Sequence, residues 1–403
     1  MTILHVVGAR PNFMKAAPVL RALSEVSSAR QILVHTGQHY DLNMSEVFFQ
    51  ELDLPSPDVN LGVGSGSHAQ QTSQIMAAFE PVVLEHKPAV VIVYGDVNST
   101  MAAALVCSKL RVPVAHVEAG LRSFDRTMPE EINRLVTDQL ADLLFTPSED
   151  ANGNLEREGI AHEKVHLVGN VMIDTLIRML PKAEQSGSNS LPERYVLVTL
   201  HRPSNVDDLN WLTVLLQLLG DISRDLPVLF PVHPRTRQKM SEAGIHPDAA
   251  SNVHLLEPAP YLQFLALQKH ASLVVTDSGG VQEETTFLRV PCLTVRENTE
   301  RPVTSTLGTN ILVGRDLNLL RAEIEQILAG NRKPGVIPPL WDGCAGRRIA
   351  QIITGSQLQL AQAPAPCGAE LKHRVGTHAA AMKKSAGYVP APSTMNGWRL
   401  EGV

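Results

Sequence analysis

Cysteine is scarce in this sequence, and its spacing excludes the structures that cysteines most often build. The four cysteines of the 403-residue chain, Cys107, Cys292, Cys344 and Cys367, are far apart and form no CxxC pair. The sequence therefore predicts neither a zinc site nor a disulfide framework. Widely separated thiols fit a reducing compartment, so we expect a cytoplasmic protein that binds no metal.

Long hydrophobic runs are also missing. No stretch approaches the ~18 uninterrupted apolar residues that indicate a transmembrane helix. Residues 1–8 are typical of a strand, and they lack the basic start and long apolar core of a targeting leader. We expect a soluble chain without a membrane partner.

The chain has no excess of basic residues either. Its formal net charge is −6, which argues against binding to nucleic acid or to an anionic membrane surface. Hydrophobic residues make up 44% and charged residues 19% of the chain, as in ordinary globular domains. Any anionic substrate must therefore be bound by a few local arginines and lysines.

Apolar, β-branched runs of strand length recur along the chain in two groups of six. The first group is Ile3–Val7, Gln31–His35, Val90–Tyr94, Pro113–Val117, Asp142–Phe145 and Lys164–Val168. The second group is Tyr195–Leu200, Pro227–Val232, Val253–Leu256, Ser272–Thr276, Val290–Val295 and Asn310–Val313. Because these runs are continuous rather than alternating, they predict parallel strands that helices cover on both faces.

Two groups of strands in a chain of this length predict an α/β protein with two Rossmann-like, doubly wound domains that face a cleft. We place the first domain at residues 1–180 and the second, nucleotide-binding domain at residues 194–355, with a polar linker between them. A last helix is able to pack back on the first domain. Residues 356–403 are rich in Ala, Pro, Gly and Gln without periodicity, and we expect a disordered tail there.

The segment from His116 to Arg134 contains four carboxylates, three arginines and a histidine within nineteen residues. Glu118 follows a predicted buried strand, and ligands of open parallel sheets bind beyond the carboxyl ends of strands. Pro129 takes a favoured first helical position, which puts Glu130 and Arg134 on one helix face. This density favours a reactive site. An acidic helix start with a solvated ion pair is the alternative.

Two further turns of the first half offer groups to the same edge. Arg10 and Lys15 lie where the first strand runs into a helix, and a helix N-terminus with two cations attracts anions. Asp96 follows the next central strand and is either an acid–base group or a helix N-cap. For the first turn, solvated cations on a tight turn are the alternative.

The second half repeats this pattern. Ser278, Gly279 and Gly280 follow an apolar strand, and their backbone N–H groups could hold a diphosphate. Glu284, a turn further on, could accept hydrogen bonds from ribose hydroxyls. A glycine-rich turn whose acids match the helix dipole is the alternative.

Histidine and arginine also follow strands of the second half. His201 with Arg202, and His233 with Arg235, stand directly after strands. The segment 296–302 adds Arg301 and a second arginine, and guanidinium groups suit phosphate oxygens. An exposed cluster of ion pairs is the competing interpretation of that segment.

Seven motifs occur in order along the chain: GARPNFMK, GDVNSTMAAAL, HVEAGLRS, PEEINR, HRPSN, DSGGVQEE and ENTERP. Together they closely resemble the non-hydrolysing UDP-N-acetylglucosamine 2-epimerase family, over roughly residues 1 to 355. The resemblance implies the two-Rossmann-domain fold shared with GT-B glycosyltransferases. It also implies a UDP-sugar substrate, a homodimer and no cofactor.

The resemblance further implies roles for individual residues. The residues that would contact the nucleotide sugar are Arg10, Lys15, His201, Phe264, Ser278, Gly279, Gly280, Glu284 and Arg301. The residues that would line the reacting centre are Asp96, Glu118, Glu130, Arg134 and His201.

The chemistry of the family explains these residue types. The hydrogen on C2 of a 2-acetamido sugar is not acidic, and the family reaction removes it as UDP leaves C1. The resulting 2-acetamidoglucal takes UDP back while C2 is protonated from the opposite face. Acid–base groups must therefore reach both faces of C2, and fixed cations must stabilise the leaving diphosphate.

Two positions depart from the family pattern. Arg202-Pro203-Ser204-Asn205 replaces an Arg-Arg-Glu-Asn form, and Gln70 stands where some members have an arginine beside a second, activating pocket. Neither substrate activation nor the identity of the sugar follows from the motifs. The alternatives are a diacetamido uronic acid epimerase, a hydrolysing epimerase, a GT-B glycosyltransferase and a non-catalytic nucleotide-sugar sensor.

Overall fold

A computed structural model describes residues 1–37, 51–185, 192–248 and 250–355. All of them belong to one compact unit of the chain, residues 1–367. The predicted tail, most of the linker and the polar loop from Gln38 onwards lie outside the described residues. The domain boundaries at residues 180 and 194 stay a prediction.

The first half forms a parallel sheet of seven strands covered by helices. The strands are β1 (Thr2–Val7), β2 (Arg30–His35), β3 (Val59–Asn60), β4 (Val90–Tyr94), β5 (Val114–Val117), β6 (Leu143–Thr146) and β7 (Val165–Leu167). The helices are α1 (Arg10–Val26), α2 (His68–His86), α3 (Asn98–Leu110), α4 (Pro129–Leu140), α5 (Glu149–Arg157) and α6 (Val171–Gln185), with a short 3-10 helix at His162–Lys164. The strand order is β3-β2-β1-β4-β5-β6-β7.

The second half forms a parallel sheet of six strands. The strands are β8 (Val196–Thr199), β9 (Val228–Pro231), β10 (Val253–Leu256), β11 (Leu273–Thr276), β12 (Cys292–Thr294) and β13 (Asn310–Leu312). The helices are α7 (Pro203–Val206), α8 (Leu209–Ile222), α9 (Pro234–Glu242), α10 (Tyr261–His270), α11 (Gly279–Leu288), α12 (Pro302–Thr306), α13 (Leu317–Leu328) and α14 (Ala345–Thr354). The strand order is β10-β9-β8-β11-β12-β13.

The predicted fold class is confirmed, and each of the twelve predicted runs contains a strand. The central strands are buried because both faces of each sheet are covered; all five residues of β4, for example, are buried, whereas the edge strands β7 and β10 are only partly buried. The prediction of six strands in the first half is wrong by one, because β3 pairs with β2 at the sheet edge. With only Val59 and the polar Asn60, β3 is too short for an apolar run to reveal it.

Both sheets reverse their strand order at a central pair. In the first sheet the reversal lies between β1 and β4, and in the second between β8 and β11. The loops after these strands run to opposite sides of the sheet and leave a crevice between them, where ligands of such folds bind. The predicted site residues Arg10, Asp96, His201 and Ser278 all follow one of these four strands.

The last helix, α14, packs on the first half of the chain. Ala345 and Ile349 are buried in the same core as residues of β1 and α1. A Cβ on Gly346 would lie 2.7 Å from the Pro18 carbonyl oxygen, so α14 approaches α1 as closely as glycine allows. The Asp174 carboxylate of α6 accepts hydrogen bonds from the N–H groups of Ala345 (3.1 Å) and Gly346 (2.7 Å).

Candidate active site

Glu118 is held between two cations that come from different halves of the chain. One carboxylate oxygen forms an ion pair with the Lys15 ammonium of α1. The other, Oε1, accepts a hydrogen bond of 2.8 Å from Nη2 of Arg301, which precedes α12. Three of the sequence-predicted residues thus meet, and both oxygens of Glu118 are engaged.

The backbone at Glu118 adopts an unusual conformation. Its φ is +74°, in the left-handed region that side chains other than glycine rarely occupy. The N–H groups of Glu118 and Ala119 both donate to the Phe145 carbonyl at 3.0 Å, which fixes the turn to the end of β6. Gly95 lies opposite, and a Cβ there would come within 2.5 Å of the Lys15 Nζ. Gly95 also has a φ of +63°, in the left-handed region that favours glycine.

A buried network beneath Glu118 supports this turn. His116 contacts Asp138 Oδ1 through Nδ1 at 2.6 Å and the Gly95 carbonyl through Nε2 at 2.8 Å. Asp138 Oδ2 accepts from the Gly120 N–H at 3.1 Å and pairs with Arg122 at 2.7 Å. Burial alone would raise the pKa of Asp138, but the facing His116 and Arg122 lower it. Asp138 therefore joins the turns that carry Gly95 and Glu118.

Arg134 connects the loop after β4 to helix α4. Its guanidinium forms ion pairs with Asp96 and with Glu131, which is one helical turn away. Arg134 is 2% exposed, so the alternative of a solvated ion pair is wrong. Glu131 also accepts hydrogen bonds from the N–H groups of Ser123 (3.0 Å) and Phe124 (2.9 Å). Sequence reasoning missed Glu131 because it selected the neighbouring Glu130.

Glu130 itself is exposed at the start of α4. Burial lowers the pKa of Arg202 in the second half of the chain, and the charge of Glu130 is among the effects that oppose this lowering. Glu130 therefore faces the crevice from the first half, while Asp96 and Arg134 lie deeper.

His201 is oriented by a buried carboxylate. Its Nδ1 lies 3.0 Å from Asp277 Oδ1, while the ring itself is about half exposed. Asp277 also accepts hydrogen bonds from the Arg202 N–H (2.9 Å) and from Asn205 Nδ2 (3.0 Å). Burial raises the pKa of Asp277, but the hydrogen bond from His201 and its other partners lower it overall. Because Asp277 holds the ring of His201 through Nδ1, the other ring nitrogen, Nε2, faces the crevice.

His233, by contrast, has a local structural role. Its Nδ1 accepts a hydrogen bond of 3.3 Å from the Arg235 N–H at the start of α9. Arg235 forms an exposed ion pair with Asp207. The two histidine–arginine pairs of the second half therefore differ in environment.

Arg301 is surrounded by carboxylates. Its guanidinium contacts Glu118 as described, Glu283 Oε1 at 3.0 Å through Nε, and Glu300 through Nη1. Glu300 also pairs with Arg296 at 2.8 Å. Burial alone would lower the pKa of Arg301, but the carboxylates raise it well above its usual value. This cluster is buried, so the alternative of exposed ion pairs in segment 296–302 is wrong.

The glycine-rich turn after β11 lies against Arg301. A Cβ on Gly279 would come within 2.4 Å of Arg301 Nη1, whereas a Cβ on Gly280 would meet nothing within 4 Å. Ser278 occupies the N-cap position of α11 in an extended conformation. The guanidinium of Arg301 and the first N–H groups of α11 thus point to one region, the arrangement that anions prefer.

Glu284 lies further along α11 with both carboxylate oxygens engaged. It accepts hydrogen bonds from the Tyr261 hydroxyl (3.0 Å) and from Gln268 Nε2 (2.6 Å). Burial raises the pKa of Glu284. Phe264 of α10 is half-buried beside this group. Arg10 is exposed at the first position of α1, and its charge also acts on the buried Tyr261.

The described ranges provide no obvious metal centre. Among residues 1–37, 51–185, 192–248 and 250–355, no three His, Cys, Asp or Glu side chains are grouped as a metal ion requires. Within the same ranges no helix combines the length and apolar character needed to cross a bilayer.

Comparison with known proteins identifies the family. A model of the family described as UDP-N-acetylglucosamine 2-epimerase matches residues 21–354. The UDP-N-acetylglucosamine 2-epimerase of Methanocaldococcus jannaschii is 44% identical over 365 residues, which cover 88% of this chain and 99% of the relative. The UDP-2,3-diacetamido-2,3-dideoxy-D-glucuronate 2-epimerase of Pseudomonas aeruginosa is also 44% identical, over 317 residues that cover 78% of this chain and 88% of the relative.

Solved structures agree with the sequence comparison. The crystal structure of the M. jannaschii UDP-GlcNAc 2-epimerase in complex with UDP-GlcNAc and UDP matches with a TM-score of 0.81 at 43% identity, and covers 88% of this chain and 100% of that one. The family model alone spans most of the chain, from α1 through the second sheet to α14. The chain therefore belongs to the UDP-N-acetylglucosamine 2-epimerase family.

Proposed function

We propose that this protein inverts C2 of a UDP-2-acetamido sugar and interconverts UDP-N-acetylglucosamine and UDP-N-acetylmannosamine without net hydrolysis. The observation that carries the proposal is the position of Glu118, between Lys15 of the first half and Arg301 of the second. The carboxylate can accept a proton, and the two cations beside it can stabilise the negative charge of a departing diphosphate.

The proposed reaction has two stages. A carboxylate takes the proton from C2 while the C1–oxygen bond breaks, so that UDP leaves and 2-acetamidoglucal forms. UDP then re-adds to C1 while C2 receives a proton on the opposite face. Proton transfer on both faces of C2 requires carboxylates on separate segments of the chain. Asp96 follows β4, Glu118 follows β5, and Glu130 lies at the start of α4.

The remaining predicted residues would bind and orient the substrate. Arg10, Lys15, Arg301 and the turn Ser278–Gly280 supply positive charge and N–H groups for the diphosphate. His201, oriented by Asp277, would donate to an oxygen of the leaving group. Arg134 would hold Asp96 in place through their ion pair.

Phe264 and Glu284 would contact the nucleoside. Each oxygen of Glu284 keeps a second lone pair beside its bond to Tyr261 or Gln268, which a ribose hydroxyl can use.

A second substrate has specific support. The P. aeruginosa relative at 44% identity is a diacetamido glucuronate epimerase by name. A uronic acid would add a carboxylate to the sugar, and the cleft contains several arginines that could bind it. The runner-up function is therefore 2-epimerisation of a UDP-diacetamido uronic acid by the same residues.

Product analysis with both substrates tests the proposal. The purified protein would be incubated separately with UDP-N-acetylglucosamine and with UDP-2,3-diacetamido-2,3-dideoxy-D-glucuronate, and the sugars separated by anion-exchange chromatography. We expect an equilibrium mixture of the gluco and manno forms from the first, with little free UDP. Turnover of the diacetamido glucuronate substrate alone would mean that the protein is a UDP-diacetamido uronic acid epimerase. Stoichiometric release of UDP would indicate a hydrolysing enzyme.

Assembly and location are part of the same proposal. We expect a cytoplasmic homodimer, in line with the family resemblance and the sparse cysteines. Size-exclusion chromatography with light scattering measures the mass directly, and a mass of one chain, near 43.8 kDa, would contradict the dimer.

A further inference from the structure

Glu283 is a buried carboxylate to which the proposed reaction gives no role. It lies on α11 beside Glu284 and is 1% exposed. Its Oε1 accepts a hydrogen bond of 2.9 Å from Asn170 Nδ2 and lies 3.0 Å from Arg301 Nε. Its Oε2 is buried and has no hydrogen-bond partner in the described part of the chain. An unpaired oxygen of this kind is costly for an ionised carboxylate.

The groups that face Glu283 belong to one connected cluster of charges. Arg301 touches Glu283, Glu118 and Glu300, while Lys15 touches Glu118. Glu300 also pairs with Arg296 at 2.8 Å and lies 3.7 Å from Arg202, so the three carboxylates are interleaved with cations. The position of Glu283 is therefore electrostatically acceptable only while Arg301 remains beside it.

A nucleoside diphosphate would disturb this cluster. Its phosphate oxygens compete for the guanidinium of Arg301 and bring at least two negative charges next to the cluster. The added negative charge favours protonation of a neighbouring carboxylate that has lost its cation. Burial raises the pKa of Glu283 to about 7 and the charge of Glu118 adds to this increase, while Arg301 and Lys15 oppose it. Loss of Arg301 to the diphosphate removes the larger opposing effect.

We propose that Glu283 is a proton-exchanging partner of Arg301: it takes up a proton from solvent when a nucleoside diphosphate binds, and Arg301 thereby leaves the carboxylates for the phosphate oxygens. The proton goes from water or buffer to Glu283 Oε2, and no other bond forms or breaks. Glu118 loses one of its two cations in the same step, which exposes Oε1 to the sugar. This inference rests on the proposed function, because it requires a diphosphate in the cleft.

Calorimetry of UDP binding tests the inference without any turnover. Titrations at pH 7.5 in buffers of different ionisation enthalpy give the number of protons taken up per UDP. We expect uptake of up to about three-quarters of a proton for the wild type, because a group with a pKa near 7 is about three-quarters ionised at that pH. The same titrations on Glu283→Gln should give uptake close to zero. Protonation of UDP itself contributes equally to both proteins and cancels in the difference.

Asp174→Asn is the matched control. Asp174 is a partly buried carboxylate whose pKa is also raised to about 7, and it contacts the start of α14 rather than Arg301. This variant should show the wild-type uptake. Equal uptake in wild type and Glu283→Gln, or binding of UDP to the wild type without uptake, would overturn the inference and leave the proposed function intact. If UDP does not bind to the wild type, both fail.

An infrared measurement covers the case in which Glu283→Gln does not fold. The difference spectrum of the wild type with and without UDP should gain a band of a protonated carboxylic acid that shifts in deuterated water. A spectrum without that band contradicts proton uptake by a carboxylate.

Discussion

At the scale of single residues, the site depends on Glu118 more than on any other side chain. Its left-handed backbone costs on the order of 1–3 kcal/mol, and the carbonyl of Phe145 and the pair His116–Asp138 hold it there. Strain that persists at one residue is common where the position of a functional group matters. The geometry at Glu118 therefore supports a direct role in the reaction.

Replacement of Glu118 tests this role. Glu118→Gln keeps the shape of the side chain but cannot accept a proton from C2, so kcat should fall by roughly 10²–10⁴-fold or more. Binding of UDP, measured by calorimetry, should remain within a few fold of the wild type. Glu156→Gln, an exposed substitution on α5, should change neither quantity. Near-normal turnover of Glu118→Gln would contradict the proposed chemistry.

Asp138 offers a prediction about stability. Asp138→Asn leaves the cation Arg122 and the ring of His116 without their shared carboxylate, and loss of one member of a buried ion pair costs about 3–5 kcal/mol. Urea denaturation should show a decrease of this size in the free energy of unfolding. Asp225→Asn, at an exposed position, should change it little. A change as small as that of the control would mean that the network does not support the turn.

Pairing between side chains was the part of the site that the sequence could not predict. Each predicted residue is recognisable because it follows an apolar run, but its partner depends on how distant segments meet. Glu118 and Arg301 are 183 positions apart, and Asp277 follows His201 by 76. The choice between Glu130 and Glu131 likewise depends on the path of the loop before α4, because the N–H groups of Ser123 and Phe124 in that loop bind Glu131.

At the scale of elements, strands were predicted well because burial on both faces leaves continuous apolar runs. The edge strand β3 lacks such a run, since an edge strand of two residues needs little apolar surface. The position of α14 on α1 and α6 depends on small residues and on the Asp174 cap, which a hydrophobic pattern does not reveal.

The contact between α14 and α1 leads to a test of packing. A methyl group on Gly346 would lie 2.7 Å from the Pro18 carbonyl oxygen, so Gly346→Ala should lower the free energy of unfolding by about 1–3 kcal/mol. Chemical denaturation measures this difference. Gly64→Ala is the matched control, because a Cβ there meets nothing within 4 Å. Equal stability of the two variants would mean that α14 is not packed so closely.

The Asp174 cap predicts how stability depends on pH. Burial raises the pKa of Asp174 to about 7, so between pH 4 and 7 the folded chain binds more protons at this group than the unfolded chain. Its contribution to the free energy of unfolding is therefore present at low pH and is lost as pH rises towards 7. Asp174→Asn should show a smaller loss over this range in thermal melts. An unchanged pH profile in the variant would contradict the raised pKa.

At the scale of the whole molecule, the two halves share an apolar core and are also linked by charged groups at the site. Lys15 and Glu118 come from the first half, and Arg301 and Glu283 from the second. The sequence predicted two sheets facing a cleft, since each half repeats the same rhythm of strands and helices. It could not predict that the cleft is bridged by the same cations that we expect to bind a diphosphate.

A ligand that binds across this cleft should stabilise the chain as a whole. At a UDP concentration 100 times its Kd, the free energy of unfolding should rise by about 2.7 kcal/mol. Thermal melts with UDP and with ADP at equal concentration measure the effect and its specificity. Equal shifts with both nucleotides would show that the site binds diphosphate without recognition of uridine.

The most direct test of C2 epimerisation is the fate of the hydrogen on C2. The protein would be incubated with UDP-N-acetylglucosamine in deuterated water, and the nucleotide sugars followed by proton and phosphorus NMR. We predict that deuterium enters C2 of both the gluco and the manno forms, at a rate that Glu118→Gln reduces sharply, while little UDP accumulates. Formation of the manno form with hydrogen retained at C2, or no exchange at all, would contradict the proposed proton transfer.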